Sequence, residues 1–510
     1  MLSRLATLAR QQPHAVMLRG LDGAAELSFA QCYEQACRTA AWLREAGAAP
    51  GDRVLLLAGN RPLFLYVWLG AMALGAIPVP IHPETNAENL AYLIEHSGAK
   101  LLVSDRDAEP MRELADPQGR CRFVCLDEPA LQAQTSALMP LAPVAAKAST
   151  IASILYTSGT TGRPKGALIT NRSYLAIGER IVQGIGITSD DRIMVFLPLS
   201  HANPQMYAVM AALTAACSIV LCPRFSASNF VQQAAACGAS GFTYVGTVLS
   251  ILAKQFGDQP QATGLRWCVG GGAPLPVWTR IEAALGISVH ELYGMTETGG
   301  MVTMNTRERR KLGSIGAARD DVEVAILDAD DRPLGPGCIG EIAVRPREPF
   351  VLTAGYYNQP EEMIKASSNL WFHTGDLGRR DADGFFHFEG RSKELIRRAG
   401  EMISPVEIEL AALSFGGVAD CAAVGVADDI LEEEIKLVAV PRPGLEPAAL
   451  VRHLMGKLPV YKMPRMLELV QSIPKTGTEK VQRFQLKQTR GDLIDLRPLI
   501  EQARRGTAAS

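Results

Sequence analysis

Short apolar runs alternate with helical patterns over about the first 390 residues of this chain, and this alternation leaves few architectures open. The clearest strand-like runs are RVLLLAG at 53–59, KLLVSD at 100–105, DRIMVFLPL at 191–199 and SIVLCP at 218–223. Helices that return the chain between strands produce parallel sheets covered on both faces. The pattern therefore predicts a layered α/β architecture with mainly parallel sheets.

A different sequence pattern covers residues 320–390, where strand-like runs predominate. VEVAILD at 322–328 and GEIAVRP at 340–346 have strand-like patterns. Asp383-Gly384 stands between two further strand-like runs and is a strong hairpin-turn signal. We expect a β-rich subdomain in this part of the chain.

The residues after Arg391 have a compact α+β pattern of their own. Ser404-Pro-Val-Glu407 predicts a helix start, with Ser404 as the N-cap and proline at the first helical position. We therefore expect an N-terminal domain over residues 1–391 and a small C-terminal domain over 394–510, with the junction at 391–394.

Composition favours an ordinary globular protein. The chain has 510 residues, too many for one compact domain, and 47% of them are hydrophobic against 20% charged. Lys plus Arg number 51 against 53 for Asp plus Glu, so no net field attracts the chain to nucleic acid or anionic lipid. A nucleic-acid partner is not expected.

The cysteines and the apolar runs indicate a reduced, cytoplasmic location. The ten cysteines are scattered without a C-x-x-C pair, which argues against a zinc site and for small core residues. The N-terminus lacks the apolar segment of a secretory signal. Two uncharged runs, 62–81 and 202–223, contain glycine, proline or polar residues and are interpreted as buried helices, so no transmembrane segment is expected.

The most chemically informative string is Tyr156-Thr-Ser-Gly-Thr-Thr-Gly-Arg-Pro-Lys-Gly166, which follows a strand-like run. Glycine backbone amides, four hydroxyls and one ammonium group in such a loop can surround a polyphosphate. The candidate phosphate-binding residues are Thr157, Ser158, Gly159, Thr160, Thr161, Gly162 and Lys165. The string is not a Walker loop, and composition alone would also fit a flexible linker.

This string resembles the phosphate loop of the adenylate-forming (AMP-binding) superfamily, and further similar motifs follow in that family's order over about residues 25–490. They are Gly270-Gly-Gly-Ala-Pro274, Tyr293-Gly-Met-Thr-Glu297, Gly340-Glu341, Thr374-Gly-Asp376, Gly390-Arg-Ser-Lys393 and a segment around Lys480. The resemblance implies an acyl-CoA synthetase whose small C-terminal domain is mobile and rotates about a hinge at Lys393. Such an enzyme would use ATP and Mg²⁺, with coenzyme A as a co-substrate.

The resemblance also implies roles for the nucleotide-binding positions. Those expected to contact ATP or AMP, besides the loop and Lys480, are Gly271, Gly272, Ala273, Pro274, Tyr293, Gly294, Met295, Thr296, Asp376 and Arg391. Glu297 would hold Mg²⁺ together with phosphate oxygens. The Asp376 carboxylate can accept hydrogen bonds from both ribose hydroxyls, although alone it would be interpreted as a turn or cap residue.

In the family a C-terminal lysine, which corresponds to Lys480, bridges the carboxylate and the α-phosphate during adenylation. A mobile cation offsets the repulsion between these two anions. Glu479 replaces the glycine that usually precedes this lysine. After the domain rotation, the loop carrying Arg397, Arg398 and Gly400 would help to bind CoA, and its arginines suit phosphate groups. A solvated helix face is the alternative for these arginines.

The acid is expected to be a small or medium carboxylate that is not an α-amino acid. Amino-acid-activating relatives place an aspartate where this chain has His201, and no acidic residue lies between Asp191 and Asn229. A substrate ammonium group would therefore lack a counter-charge. The candidate acyl pocket consists of His201, Asn203, Val245, Gly246, Gly272 and Met295. His201 is also a catalytic candidate beside Lys480 and Glu297, with a buried core histidine as the alternative.

The predicted function is ATP-dependent acyl-CoA ligation, with a weaker resemblance to the bacterial crotonobetaine/carnitine-CoA ligase-like branch. The first alternative is a stand-alone adenylation enzyme that loads the phosphopantetheine of a separate carrier protein. The second, suggested by Glu479 alone, is a nucleotide-binding module without catalysis. The sequence leaves open whether the chain forms a homodimer.

Overall fold

The computed structural model describes residues 1–507 except 22–25, 158–162, 392–393, 399–400, 429–430, 476–480 and 490, and gives only the backbone at 401–402, 432 and 505–507. The chain divides into two compact units. Unit 1 is Met1–Val324 with Val344–Phe372, and unit 2 is Ala325–Ala343 with His373–Ser510. The predicted junction at 391–394 includes residues outside the described part of the chain and stays a prediction.

The strands follow one another along the chain with short connections or helices between them. They are β1 (Val16–Gly20), β2 (Glu26–Ser28), β3 (Arg53–Leu57), β4 (Ile77–Pro80), β5 (Leu101–Ser104), β6 (Arg122–Cys125), β7 (Ile151–Thr157), β8 (Lys165–Thr170), β9 (Arg192–Val195), β10 (Ser218–Leu221), β11 (Gly241–Val245), β12 (Trp267–Gly271), β13 (Ser288–Met295), β14 (Gly300–Met304), β15 (Ala317–Ala318), β16 (Val322–Leu327), β17 (Ile339–Pro346), β18 (Ser367–Ser368), β19 (Trp371–Arg380), β20 (Phe386–Arg391), β21 (Ile396–Arg398), β22 (Glu401–Ile403), β23 (Val418–Asp428), β24 (Glu432–Pro441), β25 (Met466–Leu469) and β26 (Asp492–Asp495).

The α-helices connect and cover these strands. They are α1 (Leu2–Gln11), α2 (Phe29–Glu45), α3 (Pro62–Leu74), α4 (Ala87–Ser97), α5 (Glu109–Ala115), α6 (Glu128–Thr135), α7 (Asn171–Ile185), α8 (Met210–Ala215), α9 (Phe230–Ala236), α10 (Gly246–Phe256), α11 (Leu275–Leu285), α12 (Pro360–Ala366), α13 (Pro405–Leu413), α14 (Pro447–Met455), α15 (Arg483–Leu486) and α16 (Arg497–Thr507). A π-helix, Pro204–Val209, leads into α8, and 3₁₀ turns span Thr296–Thr298 and Val460–Lys462.

The largest sheet of unit 1 has the order β15-β14-β13-β12-β11-β9-β10-β1-β2 in the described residues. The strands from β13 to β1 run parallel to their neighbours, and β14 turns back antiparallel. The central strands are buried because helices cover both faces, which explains their continuous apolar sequences. The carboxyl ends of β11, β12 and β13 share one sheet edge, where open α/β sheets bind ligands.

A second parallel sheet in unit 1 has the order β4-β3-β5-β6, and the hairpin β7–β8 forms a separate ladder. The two uncharged runs form part of this packed interior: the first forms α3 and β4, and the second forms the π-helix, α8 and β10. In the part of the chain that the structure describes, no helix combines the length and apolarity needed to span a membrane.

Unit 2 contains a mixed sheet with the order β22-β21-β24-β25-β26, in which β23 pairs with β24. Helix α13 begins at Pro405, as predicted, although the Ser404 side chain makes no capping hydrogen bond. Glu407 in the first turn instead accepts a hydrogen bond from Lys462 at 2.6 Å. Apolar residues of α13, α14 and the sheet form the core of this unit.

The hairpin β19–β20 confirms the turn predicted at Asp383-Gly384. Gly384 has a φ of +83°, a conformation in which glycine is favoured, and the two strands pair antiparallel on either side of it. Together with the parallel sheets of unit 1 and the α+β sheet of unit 2, this hairpin agrees with the predicted fold class, which is confirmed.

Candidate active site

The two ends of the candidate phosphate loop are fixed by the hairpin β7–β8. Thr157, the last residue of β7, is the register partner of Lys165, the first residue of β8. Strand pairing therefore brings the hydroxyl and the ammonium group that flank the loop to one end of the hairpin. The predicted residues Ser158, Gly159, Thr160, Thr161 and Gly162 lie outside the described residues.

Glu297 lies beside the start of this loop. Glu297 lies in the 3₁₀ turn that follows β13, and the residue is only 8% exposed. Oε1 of Glu297 accepts a 2.8 Å hydrogen bond from Oγ1 of Thr157 and a 3.2 Å hydrogen bond from the hydroxyl of Tyr356. The described residues form no ion pair with Glu297, so a buried carboxylate stands among neutral donors. Such a group fits a divalent cation, whose charge would compensate it.

The predicted adenine-binding segment follows β12. Gly272 has a φ of +90°, and its amide donates to Oε1 of Glu291 at 2.5 Å. The amide of Ala273 donates to both carboxylate oxygens of Glu291 at 3.2 Å, and the hydroxyl of Tyr244 donates to Oε2 at 2.5 Å. Burial raises the pKa of Glu291 to about 8, while these three donors oppose that shift. Glu291 thus fixes the backbone between Gly271 and Pro274.

Gly246 brings the candidate acyl pocket into contact with this segment. A Cβ atom at Gly246 would stand 1.9 Å from the carbonyl oxygen of Gly272, so only glycine permits the observed approach. Nδ2 of Asn203 donates to the carbonyl of Tyr244 at 2.9 Å, one residue before Val245. Met295 ends the neighbouring strand β13 half-buried.

His201 is half-buried in a segment that a buried amide holds in place. Nδ2 of Asn60 donates to the carbonyls of Leu197 at 2.9 Å and Cys222 at 3.1 Å, and its Oδ1 accepts from the amide of Leu199 at 2.9 Å. The ring of His201 lies 5.4 Å, centroid to centroid, from that of His82. A second histidine therefore lies beside His201, where the sequence indicated only one.

In unit 2, Asp376 and Arg391 are register partners in the hairpin β19–β20. Nε of Arg391 lies 3.3 Å from Oδ1 of Asp376, whose residue is 5% exposed. Glu341 shapes the turn before Asp376 by accepting the amide of Gly375 at 2.8 Å and contacting Nδ1 of His373 at 2.8 Å. The predicted Gly340-Glu341 and Thr374-Gly-Asp376 motifs thus form one local structure.

The two arginines predicted to bind CoA differ in their surroundings. Arg398 makes a bidentate pair with Glu434 at 2.7 and 3.1 Å and donates to the carbonyl of Tyr461 at 3.1 Å. The side chain of Arg397 is exposed on the same strand, β21. Gly400, Lys393 and Lys480 lie outside the described residues, so their predicted roles stay predictions.

The structure therefore groups Thr157, Lys165 and Glu297 at one place, and Gly246 with Gly272 at another. The sequence reasoning missed Glu291, Tyr356 and Asn60, whose buried or partly buried hydrogen bonds hold Gly272, Glu297 and the segment before His201. A carboxylate in the strand SVHELYGM, next to Leu292, was the available signal for Glu291. Tyr356 and Asn60 gave no comparable signal because their partners are distant in sequence.

Family models match both parts of the chain. Residues 5–357 match the AMP-binding enzyme model, and residues 407–480 match the AMP-binding enzyme C-terminal domain model. The chain is 34% identical to a sulfoacetate–CoA ligase of Cupriavidus necator, over 94% of this chain and 96% of that protein. It is 32% identical to a crotonobetaine/carnitine–CoA ligase of Salmonella typhimurium, covering 91% and 93% of the two chains.

A solved structure agrees with these matches over nearly the whole length. ATP-bound MatB from Rhodopseudomonas palustris superposes with a TM-score of 0.87 at 28% identity, covering 95% of this chain and 98% of that one. Fold, family models and relatives thus support the resemblance that the motifs indicated. The chain belongs to the AMP-binding enzyme family, the adenylate-forming superfamily.

Proposed function

We propose that this enzyme is an ATP-dependent acyl-CoA ligase for a small or medium carboxylic acid that carries no α-amino group. A carboxylate oxygen attacks the α-phosphorus of ATP, and pyrophosphate leaves to give an acyl-adenylate. The sulfur of CoA then attacks the acyl carbon, AMP leaves, and the thiol loses its proton. The relatives described above are named as CoA ligases, and they support this general activity.

The observation that carries the proposal is the hydrogen bond between Thr157 and Glu297. It joins the start of the polyphosphate loop to a buried carboxylate that follows β13. A loop that binds phosphates beside a group able to hold a cation suits phosphoryl chemistry, in which positioning and charge compensation lower the barrier. Lys165 at the other end of the loop adds a positive charge.

Glu297 is the residue that would hold Mg²⁺, with substrate phosphate oxygens as further ligands. In the described part of the chain, no three His, Cys, Asp or Glu side chains converge on a metal-sized site. A single buried carboxylate matches the way Mg²⁺ binds beside nucleotides, where it keeps several oxygen ligands from water and phosphate. When bound, the ion would reduce the negative charge that the incoming carboxylate meets.

Two segments carry the residues predicted to contact the nucleoside. The backbone at Gly272 and Ala273, which Glu291 fixes, would contact the adenine ring. Asp376 would accept hydrogen bonds from the ribose hydroxyls, and Arg391 would add charge near the ribose or phosphate. The register pairing of Asp376 with Arg391 supports a joint role for these two side chains.

The acyl group would lie near His201, Asn203 and the Val245-Gly246 step. The close approach of Gly246 to Gly272 supports this placement, since it brings the acyl region against the adenine segment. The absence of an acidic residue between Asp191 and Asn229 argues against an α-ammonium group on the substrate. The imidazole rings of His201 and His82 would contact the polar or anionic part of the acid at this position.

Lys480 would bridge the carboxylate and the α-phosphate in the first half-reaction, and rotation at Lys393 would then remove it. The described residues on either side of 476–480 contact one another. Lys475 pairs with Val481 across an isolated bridge, and the amide of Gln482 donates to the carbonyl of Pro474 at 2.9 Å. Arg397 would contact a phosphate of CoA, because its exposed side chain is available on β21.

The test is conversion of ATP to AMP with Mg²⁺ over a panel of carboxylates, each with and without CoA. We expect turnover that requires CoA and yields a thioester. Pyrophosphate release without any CoA-dependent thioester would instead favour the carrier-loading enzyme, and a lack of both products would contradict the proposal. An α-amino acid as the best substrate would contradict the assignment of the acyl pocket.

A further inference from the structure

Lys165, the cation at the end of the phosphate loop, is already paired with an acidic side chain. Nζ of Lys165 donates a short hydrogen bond to Oε2 of Glu362, which lies in the first turn of α12. The two side chains are 30% and 29% exposed, so the pair is in partial contact with solvent. Because the partners are 197 residues apart in sequence, the fold rather than local geometry creates this pair.

Glu362 has a second partner. Its other oxygen, Oε1, accepts a 2.7 Å hydrogen bond from Nζ of Lys365, one helical turn further along α12. The hydrogen bond from Lys165, followed by that from Lys365, lowers the pKa of Glu362 to about 2. The carboxylate is thus ionised at neutral pH and shared between two ammonium groups. If Lys165 moves away, Lys365 still compensates its charge.

Lys165 is also held close to the candidate metal site. Its Nζ lies 5.3 Å from the centre of the Tyr356 ring, and the hydroxyl of Tyr356 donates to Glu297. This contact keeps the ammonium group beside the phosphate loop while Glu362 pairs with it. Tyr356 thus links Lys165 to the carboxylate of Glu297.

We propose that Glu362 is a positioning residue that occupies Lys165 in the nucleotide-free enzyme and exchanges it for a phosphate oxygen when ATP binds. The inference rests on the proposed function, because it takes ATP as the ligand of this loop. A carboxylate within hydrogen-bond reach of Lys165 would stand close to bound phosphates and repel them. Exchange removes that conflict, since Lys365 retains Glu362 while Lys165 turns to the nucleotide.

The experiment measures the Kd for MgATP by calorimetry, without carboxylate or CoA, so that no turnover occurs. Glu362→Gln keeps the shape of the side chain but removes its charge, so Lys165 no longer has to leave an ion pair. We expect ATP to bind about two- to five-fold more tightly, the range expected for an exposed ion pair. Glu362→Asp, which retains the charge, should recover most of the wild-type Kd.

Matched variants separate this exchange from a general change in charge. Glu361→Gln removes the same charge from the neighbouring residue and should leave the Kd unchanged. In a Lys165→Met background, Glu362→Gln should no longer tighten binding. The gain should also shrink as salt rises from about 0.05 M to about 0.5 M, because exposed charges are then screened.

Three results would overturn the inference: an unchanged or weaker ATP affinity in Glu362→Gln, an equal gain in Glu361→Gln, or an undiminished gain in the Lys165→Met background. Weaker affinity would mean that Glu362 orients Lys165 toward the phosphates instead of competing for it. A wild-type protein that binds no ATP would contradict the proposed function itself, and with it this exchange.

Discussion

The carbonyl oxygen of Gly272 lies so close to Gly246 that a Cβ atom at Gly246 would stand only 1.9 Å from it. Gly272 follows β12, and Gly246 begins α10 directly after β11, so the two glycines meet at one sheet edge. Their contact couples the candidate acyl pocket to the candidate adenine segment through backbone atoms alone. A change at one should therefore alter both binding sites.

Gly246→Ala should impair binding of ATP and of the carboxylic acid together. Because the added methyl group meets backbone, the segment itself must move, and a shift of this kind typically costs about 1–3 kcal/mol in a packed region. We expect both KM values to rise in adenylation assays. Gly264→Ala is the control, since a Cβ atom there would make only an ordinary contact at 3.7 Å. A variant with normal KM values for both substrates would contradict the coupling.

Asp376→Asn should reduce the preference of the enzyme for ATP over 2′-deoxyATP. The carboxylate can accept from both ribose hydroxyls, and a charged hydrogen bond contributes about 1.5–3 kcal/mol, or roughly ten-fold or more in kcat/KM. The wild type should discriminate by about that factor, and the variant should discriminate much less. Equal discrimination by both proteins would place the ribose elsewhere.

Lys480→Ala should slow adenylation by at least about 100-fold, the scale of losing a charge contact in the transition state. Thioester formation from preformed acyl-adenylate should suffer far less, because the lysine is expected to leave the site before that step. Lys393→Pro should give the opposite pattern, since proline would restrict the expected hinge. Each half-reaction is measured separately, and equal losses in both would contradict the assignment of Lys480.

Arg397→Ala and Arg398→Ala should have different consequences. Removal of the exposed Arg397 should raise the KM for CoA about ten-fold without lowering the free energy of unfolding, as expected for a lost phosphate contact. Removal of Arg398 should instead destabilise the protein, since Glu434 loses both hydrogen bonds of a largely buried pair. CoA saturation curves and urea unfolding distinguish them, and an unchanged KM in Arg397→Ala would exclude its CoA role.

Acidification below about pH 6.5 should remove a stability contribution of three histidines, because burial lowers the pKa of His82, His96 and His290. The unfolded chain takes up protons at these side chains near their ordinary pKa of 6.5, whereas the folded chain does not. Their stability contribution is therefore present above that pH and is lost as the pH falls toward the folded pKa values.

Urea unfolding between about pH 5 and pH 7.5 checks this expectation. His96→Gln should reduce the pH slope of the unfolding free energy by up to about 1.4 kcal/mol per pH unit, the value for one proton. His14→Gln, which changes a histidine outside the candidate site, serves as the control. Identical slopes in wild type and His96→Gln would exclude His96 as a source of acid sensitivity.

The sequence was sufficient for the fold class because parallel strands buried on both faces leave continuous apolar runs, as in β9 and β10. It also indicated Glu297 and Gly272 as site residues, because both lie in short motifs that resemble those of the family. It could not indicate the pairing of Lys165 with Glu362 or of Arg398 with Glu434. An isolated Pro-Glu-Glu or Arg-Arg string is equally compatible with a solvated surface, and only the fold supplies the partner.

The hairpin that pairs Asp376 with Arg391 also bears on the order in which the site is assembled. These two residues are close in the chain, and an isolated β-hairpin closes within about 1–10 μs. The contact between Thr157 and Glu297 instead spans 140 residues and requires most of unit 1 to be in place. We therefore expect refolding to recover the Asp376–Arg391 pair early and the phosphate-loop contact late, so that nucleotide affinity returns only in the last kinetic phase.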